Sequence, residues 1–153
     1  MTQLDVLSPV PGRVIELAEV PDPVFAQALV GPGLAVDPVR TGPVTAVAPV
    51  AGRLVKLHPH AFVLQTDDGA GVLTHLGIDT VQLAGEGFEL HVAEGDVVAA
   101  GDAVVTWDPA AVATSGRSPV VPVIALEATP SDLDGLRPAG PAEAGDVLFT
   151  WAR

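Results

Sequence analysis

Glycine and proline interrupt this sequence so often that no long helix fits between them: the 153 residues hold 16 glycines and 15 prolines, spread from end to end. Proline inside a helix removes a backbone donor and clashes with the preceding turn, and glycine there loses the most backbone entropy. Between the interruptions lie short β-branched runs at 13–17, 44–47, 53–57, 62–66, 72–75, 88–92, 103–107, 120–126 and 147–151. Many short strands at close spacing predict an all-β fold, a sandwich or barrel-like sheet with short helical turns. Asp22-Pro23 and Asp108-Pro109 each place a capping residue before a proline suited to the first helical position, so two such turns are expected there. Pro130-Ser131-Asp132-Leu133 predicts a third.

Residues 9–17 are echoed at 49–57, and residues 100–107 at 144–151. Each echo occurs twice, which reads as paired motifs within one domain spanning 1–153 and not as a solenoid. A chain of this length buries a real core. The two tryptophans, Trp107 and Trp151, end the second pair of echoes and are expected to anchor equivalent corners of that core.

No apolar run approaches the roughly 18 residues a membrane span requires. The opening Met1-Thr2-Gln3-Leu4-Asp5 lacks the charged and apolar regions of a secretion signal, so a cytoplasmic protein without membrane insertion is expected. Absence of cysteine excludes disulfides, thiolate zinc sites and thiol nucleophiles. The formal charge is −12 and Lys56 is the one lysine, a balance that excludes nucleic acid as a partner, since phosphate neutralisation needs clustered cations. Acidity of this kind serves solubility, or steering toward a basic partner.

With no cysteine or tyrosine, the four histidines are the leading candidates for chemistry. His75 lies in the apolar run 72–76 and is followed by Gly77-Ile78-Asp79. His60 opens the run 60–64, and Asp67-Asp68-Gly69 supplies a turn between the two. A hairpin through that turn lays the runs antiparallel without fixing the register of His60 against His75. A neutral imidazole is a competent nucleophile toward a phosphoryl group, and a second one beside it donates hydrogen bonds to phosphoryl oxygens. Gly77 permits close approach of a phosphate or a partner backbone. No glycine-rich nucleotide loop or kinase set occurs, so a phosphoryl group would arrive from another phosphoprotein.

A zinc reading competes. His58-Pro59-His60 and His75-Leu76-Gly77-Ile78-Asp79 supply His-x-His and His-x-x-x-Asp, and three such ligands with an open position suit a hydrolytic zinc. Lysostaphin-type endopeptidases carry the same two patterns in the opposite order. His91 is assigned a surface role. The stretch 92–102 looks like a turn repeat of lipoyl or biotinyl domains, but Lys56 has no Asp-Lys or Met-Lys-Met setting, which argues against a swinging-arm carrier.

Several separate blocks resemble one family. His75-Leu76-Gly77-Ile78-Asp79-Thr80-Val81, with Leu83, Gly85, Glu86, Gly87 and Phe88, is similar to the signature of glucose-type EIIA proteins of the bacterial sugar phosphotransferase system. The blocks 20–26, 30–33, 48–52, 60–62, 94–96 and 118–120 fit the same pattern in the same order, so the resemblance runs from about Leu7 to Trp151. It implies a β-sandwich of barrel-like form with two juxtaposed histidines in a shallow apolar depression. It implies that His75 is the phosphoryl acceptor, taking the group on Nε2 from phospho-HPr and passing it to a cysteine of EIIB, with His60 supporting the phosphoryl group. Asp22 and Asp79 would meet a partner's arginine, and Val24, Phe25, Leu29 and Val30 would form the apolar docking rim. Where the family pattern has a threonine two residues before the second histidine, this chain has His58.

The resemblance therefore implies a phosphotransferase component in sugar uptake. Its partners would be HPr and a glucose-family EIIB/EIIC permease, the latter expected on separate chains. No cofactor is required, although His60 and His75 leave open a zinc ion completed by a partner's carboxylate. A regulatory interaction protein gated by phosphorylation is the alternative from a different class, and a zinc hydrolase using His58, His60, His75 and Asp79 is the distant one.

Overall fold

The computed structural model describes residues 2–153. The strands among them are β1 (Gln3–Leu7), β2 (Gly12–Glu16), β3 (Gly33–Pro38), β4 (Val44–Val47), β5 (Gly52–His58), β6 (Ala61–Gln65), β7 (Gly71–His75), β8 (Phe88–Leu90), β9 (Val97–Val98), β10 (Ala103–Trp107), β11 (Val121–Ala125), β12 (Leu133–Asp134), β13 (Gly140–Ala142) and β14 (Val147–Ala152). They form three antiparallel sheets: β1-β14-β12, β4-β10-β8, and the large β13-β2-β3-β11-β7-β6-β5-β9. All nine expected runs are strands. The sheets are open, so the barrel-like character stops short of a closed barrel.

The two helical turns sit where the Asp-Pro pairs predict them. In α1 (Pro23–Ala26) the Asp22 carboxylate accepts from the Val24 amide at 2.9 Å, and in α2 (Pro109–Thr114) Asp108 accepts from Ala111 at 3.2 Å. These bonds satisfy amides that a helix start leaves unpaired. A 3-10 turn follows at Pro130–Asp132, as expected.

The echoes have separate physical causes. In the first, a Cβ on Gly12 would stand 2.1 Å from the Asp37 carbonyl oxygen, and one on Gly52 2.4 Å from that of Gln65. Both glycines start a strand where the neighbouring backbone passes too close for a side chain. In the second, Asp102 and Asp146 each accept from the amide three residues earlier, Ala99 and Glu143, at 2.8 Å. Asp96 does the same with Ala93 at 2.9 Å, which explains why 92–102 reads as a turn repeat.

Side chains from all three sheets meet in the main core, among them Val6, Val36, Leu54, Phe62, Leu64, Val105, Trp107, Phe149 and Trp151. Both tryptophans are buried in it, as expected. A smaller cluster of Leu17, Val20, Phe25, Ala35, Ile78, Val120 and Ile124 lies on the other face of the large sheet. Central strand β11 serves both: Val121, Val123 and Ala125 point to the main core and Ile124 to the smaller one. Such a strand reads as a continuous apolar run and not as an alternation. The smaller cluster, roofed by α1, is the platform on which the site is built.

Candidate active site

The hairpin from β5 to β6 turns through two residues, Pro59 and His60, with His58 paired to Ala61 across it. Two-residue hairpins usually need positive φ in the turn, but neither Pro59 nor His60 has it. The proline ring presets one turn residue instead. Pro59 is also seated: a Cβ added to Gly85 would stand 3.2 Å from its Cγ. His60 therefore lies in the turn, one residue before the strand it was expected to open.

The register of β6 on β7 pairs Ala61 with His75, which brings His60 to the end of β7. The Leu76 amide donates to the His60 carbonyl at 2.7 Å and locks that placement. The two imidazoles meet edge to face, with centroids 5.4 Å apart and planes at 72°. His58 stacks on His60 at 5.7 Å and 23°. Phe25 packs against His75 at 5.3 Å.

Past His75 the chain bends sharply. Gly77 has φ 81°, and a Cβ there would be 2.6 Å from Cγ2 of Thr80. Thr80 in turn donates its hydroxyl to the Leu76 carbonyl at 2.7 Å, and the Ile78 amide donates to the Ser118 carbonyl at 2.8 Å. Within this braced bend the Gly77 carbonyl accepts from Nδ1 of His75 at 2.5 Å. A carbonyl can only accept, so Nδ1 carries the proton. In the neutral ring the lone pair is then on Nε2. Gly77 thus has a role beyond permitting close approach: its own carbonyl sets the tautomer of the nucleophile.

Burial lowers the pKa of His75 from the ordinary 6.5, against the opposing pull of the Gly77 hydrogen bond and the charges of Asp22 and Asp79. Burial, then the neighbouring His75 and His58, lowers that of His60. The lowering favours the neutral ring in both, the state a nucleophile and a neutral hydrogen-bond donor require. Because the folded chain resists protonation that the unfolded chain accepts near pH 6.5, stability present above that pH is lost as pH falls through it. Denaturation midpoints followed from about pH 8 to 5 are expected to fall, less steeply in the His60→Gln/His75→Gln double variant than in the parent. Parallel curves would refute the linkage.

The other anticipated residues divide by exposure. Asp22 caps α1, and Asp79 is exposed with a left-handed φ of 60°. Val24 and Leu29 are exposed at 43% and 66%, while Val30 is half-buried. Phe25, expected to lead the docking rim, is only 8% exposed and fills the space beneath His75. Val81, which sequence reasoning passed over as a rim residue, is 61% exposed just beyond Asp79. Its signal was its place in the His75–Val81 block. His91 is a surface residue, as expected, bonded through Nε2 to the Thr106 hydroxyl at 2.6 Å.

The zinc hydrolase reading is corrected. Among the described residues no three His, Cys, Asp or Glu side chains converge to hold a metal ion, so His58, His60, His75 and Asp79 form no ligand set. The bend at Gly77 explains this, because it carries Asp79 onto an exposed turn instead of leaving it on the strand with His75. The adjacent rings of His60 and His75 are two ligands, short of the three that a hydrolytic zinc uses.

Comparison with known proteins agrees with this geometry. Residues 4–130 match the family described as phosphoenolpyruvate-dependent sugar phosphotransferase system, EIIA 1. The chain is 46% identical over 121 residues to a glucose-specific EIIA component from Halalkalibacterium halodurans, covering 78% of this chain and 68% of that one. It is 40% identical over 149 residues to a mannose-specific EIIBCA component from Corynebacterium glutamicum, which is 95% of this chain and 21% of that much longer protein. Among solved structures it resembles the glucose permease IIA from Mycoplasma capricolum with a TM-score of 0.89 and 38% identity, covering 98% of this chain and 96% of that one.

Proposed function

Since the chain belongs to the EIIA 1 family of the phosphoenolpyruvate-dependent sugar phosphotransferase system and is a phosphoryl carrier of sugar uptake, we propose that the carrying atom is Nε2 of His75. The group comes from phospho-HPr and goes to a glucose-family EIIB, whose EIIC partner moves the sugar. The observation that supports this best is the bond from Nδ1 of His75 to the Gly77 carbonyl, which leaves Nε2 as the free nucleophile. Its lone pair forms the new N–P bond while the donor's bond to phosphorus breaks and returns its electron pair to the donor. Positive charge grows on the ring as the bond forms. The Gly77 carbonyl and the carboxylates of Asp22 and Asp79 all favour that charge. His60, edge-on at 5.4 Å, donates to a phosphoryl oxygen.

No described helix is long and apolar enough to cross a membrane. We assign the chain a cytoplasmic carrier role as a single domain, 1–153, with no metal or cofactor in the transfer. Incubation with phosphoenolpyruvate, enzyme I and HPr, followed by mapping of acid-labile phosphate, tests the assignment. Phosphate on any residue other than His75 refutes it.

Both partners reach one face in turn. Its apolar part is Val24, Leu29 and Val81, and Leu29 and Val30 continue into a groove of about 590 Å³ with Val55, Val63 and Leu126. Its charged part is Asp22 and Asp79. Asp79→Asn is expected to slow phosphorylation by phospho-HPr at low salt and much less at high salt, because rim charges act on association and are screened. Leu29→Ala is expected to weaken docking at both salts, since apolar burial is unscreened. Stopped-flow transfer at two ionic strengths separates these; parental behaviour of both variants rejects the face.

A further inference from the structure

We propose that His58 is a positioning residue, whose imidazole stacks on that of His60 and holds it edge-on to His75. This rests on the reading of His60 as the group that steadies a phosphoryl group on His75.

A donor to a phosphoryl oxygen must present a fixed direction, and a histidine side chain has two torsions to fix. The imidazole hydrogen bonds among the described residues belong to His75 and His91. His60, half-buried at the tip of the hairpin, must therefore be oriented by packing. His75 presents only an edge contact, at 72°, which leaves rotation about the His60 side chain open. His58 supplies the missing restraint with a near-parallel face, 23° between planes and 5.7 Å between centroids.

The backbone makes this stack available. His58 ends β5 and His60 is the second turn residue, so the two rings flank Pro59. The proline ring fixes its own φ, and it lies close against Gly85. His58 is itself exposed, and its ring meets that of His60 as an offset stack. Among the described residues neither nitrogen of His60 is engaged in a hydrogen bond. A hydrogen bond would hold the ring equally well but would occupy one of them.

The test uses His58→Ala and His58→Phe in the full chain. Phenylalanine keeps a flat face and removes both nitrogens. In His58→Ala, the His60 ring signals in NMR are expected to shift and broaden, and transfer from phospho-HPr to fall by about threefold to tenfold, the worth of one aromatic pair. In His58→Phe the His60 signals are expected to stay sharp and the transfer rate to remain near the parent's. Unchanged His60 signals and rate in His58→Ala overturn the proposal. So does a His58→Phe variant as slow as His58→Ala, because the nitrogens and not the face would then matter. If the parent takes no phosphate on His75, the underlying reading has failed, and the NMR comparison alone decides whether His58 orders His60.

Discussion

Replacing His75 with alanine is expected to abolish phosphate incorporation, leaving no acid-labile label above background. The reason is specific to one atom. The Gly77 carbonyl takes the Nδ1 proton, so Nε2 is the nitrogen with an available lone pair, and burial holds the ring neutral. Nothing nearby substitutes for it. The chain has no cysteine or tyrosine, and the His60 ring centroid is 5.4 Å away, too far for His60 to occupy the same point of attack. Alanine also removes the ring that packs on Phe25, so circular dichroism and a denaturation midpoint must show that the variant is folded. With that control, parental incorporation in His75→Ala would place the nucleophile elsewhere. Phosphate on the parent should be lost in acid and kept in base, as a phosphoramidate requires.

Much of this site could be read before the fold was in view, and its limits have physical causes. The nine β-branched runs announce themselves through side-chain type, and the Asp-Pro pairs mark both helical turns because capping is local chemistry. β3 escaped notice although it is central, between β2 and β11. It begins at Gly33 and ends at Pro38, residues that normally punctuate strands. Gly33 is there because a Cβ would stand 2.0 Å from the Val123 carbonyl oxygen, a non-local constraint that no local pattern reveals. β1, with Gln3 and Asp5 among its five residues, is stitched to β14 at the other end of the chain, equally out of reach of local reasoning.

The meeting of His60 and His75 shows the same boundary. Asp67-Asp68-Gly69 predicts a turn, but the register depends on how many residues the loop takes. Here Gln65 pairs with Gly71, leaving five between them, with the Thr66 amide bonded to the Ala70 carbonyl at 2.9 Å and Gly69 at φ 91°. One residue more or less would turn His75 to the opposite face of the sheet. The inward side of Phe25 is hidden from the sequence for a related reason. A helical turn of four residues has no hydrophobic periodicity long enough to say which side faces the sheet, and Phe25 faces inward beneath His75. The role of the Gly77 carbonyl was hidden too, because a backbone acceptor leaves no mark on residue type.

His60→Ala is expected to retain the acceptor and lose speed, by about 10²–10³ in transfer rate, the usual cost of removing one preorganised donor to a charge-bearing oxygen. The substitution is unusually clean. The structural bond of this turn runs from the Leu76 amide to the His60 backbone carbonyl, and alanine keeps it. Pro59 remains on Gly85, so the hairpin and the placement of His75 should survive. What goes is one neutral imidazole at the edge of His75, in a setting dry enough to lower both pKa values. A donor is worth more there than in water, because fewer solvent dipoles compete for the phosphoryl oxygens. Label should therefore still reach His75 at long times, with slow acceptance from phospho-HPr and slow passage to EIIB. Glutamine at position 60, which keeps a donor on a side chain of similar reach, should recover part of the rate. The order of defects is itself diagnostic: complete in His75→Ala, large in His60→Ala and modest in His58→Ala, as expected for a nucleophile, the donor beside it and the ring that aims the donor. If single-turnover transfer in His60→Ala runs at the parental rate in both directions, His60 is only packing, and the stack with His58 has no catalytic consequence.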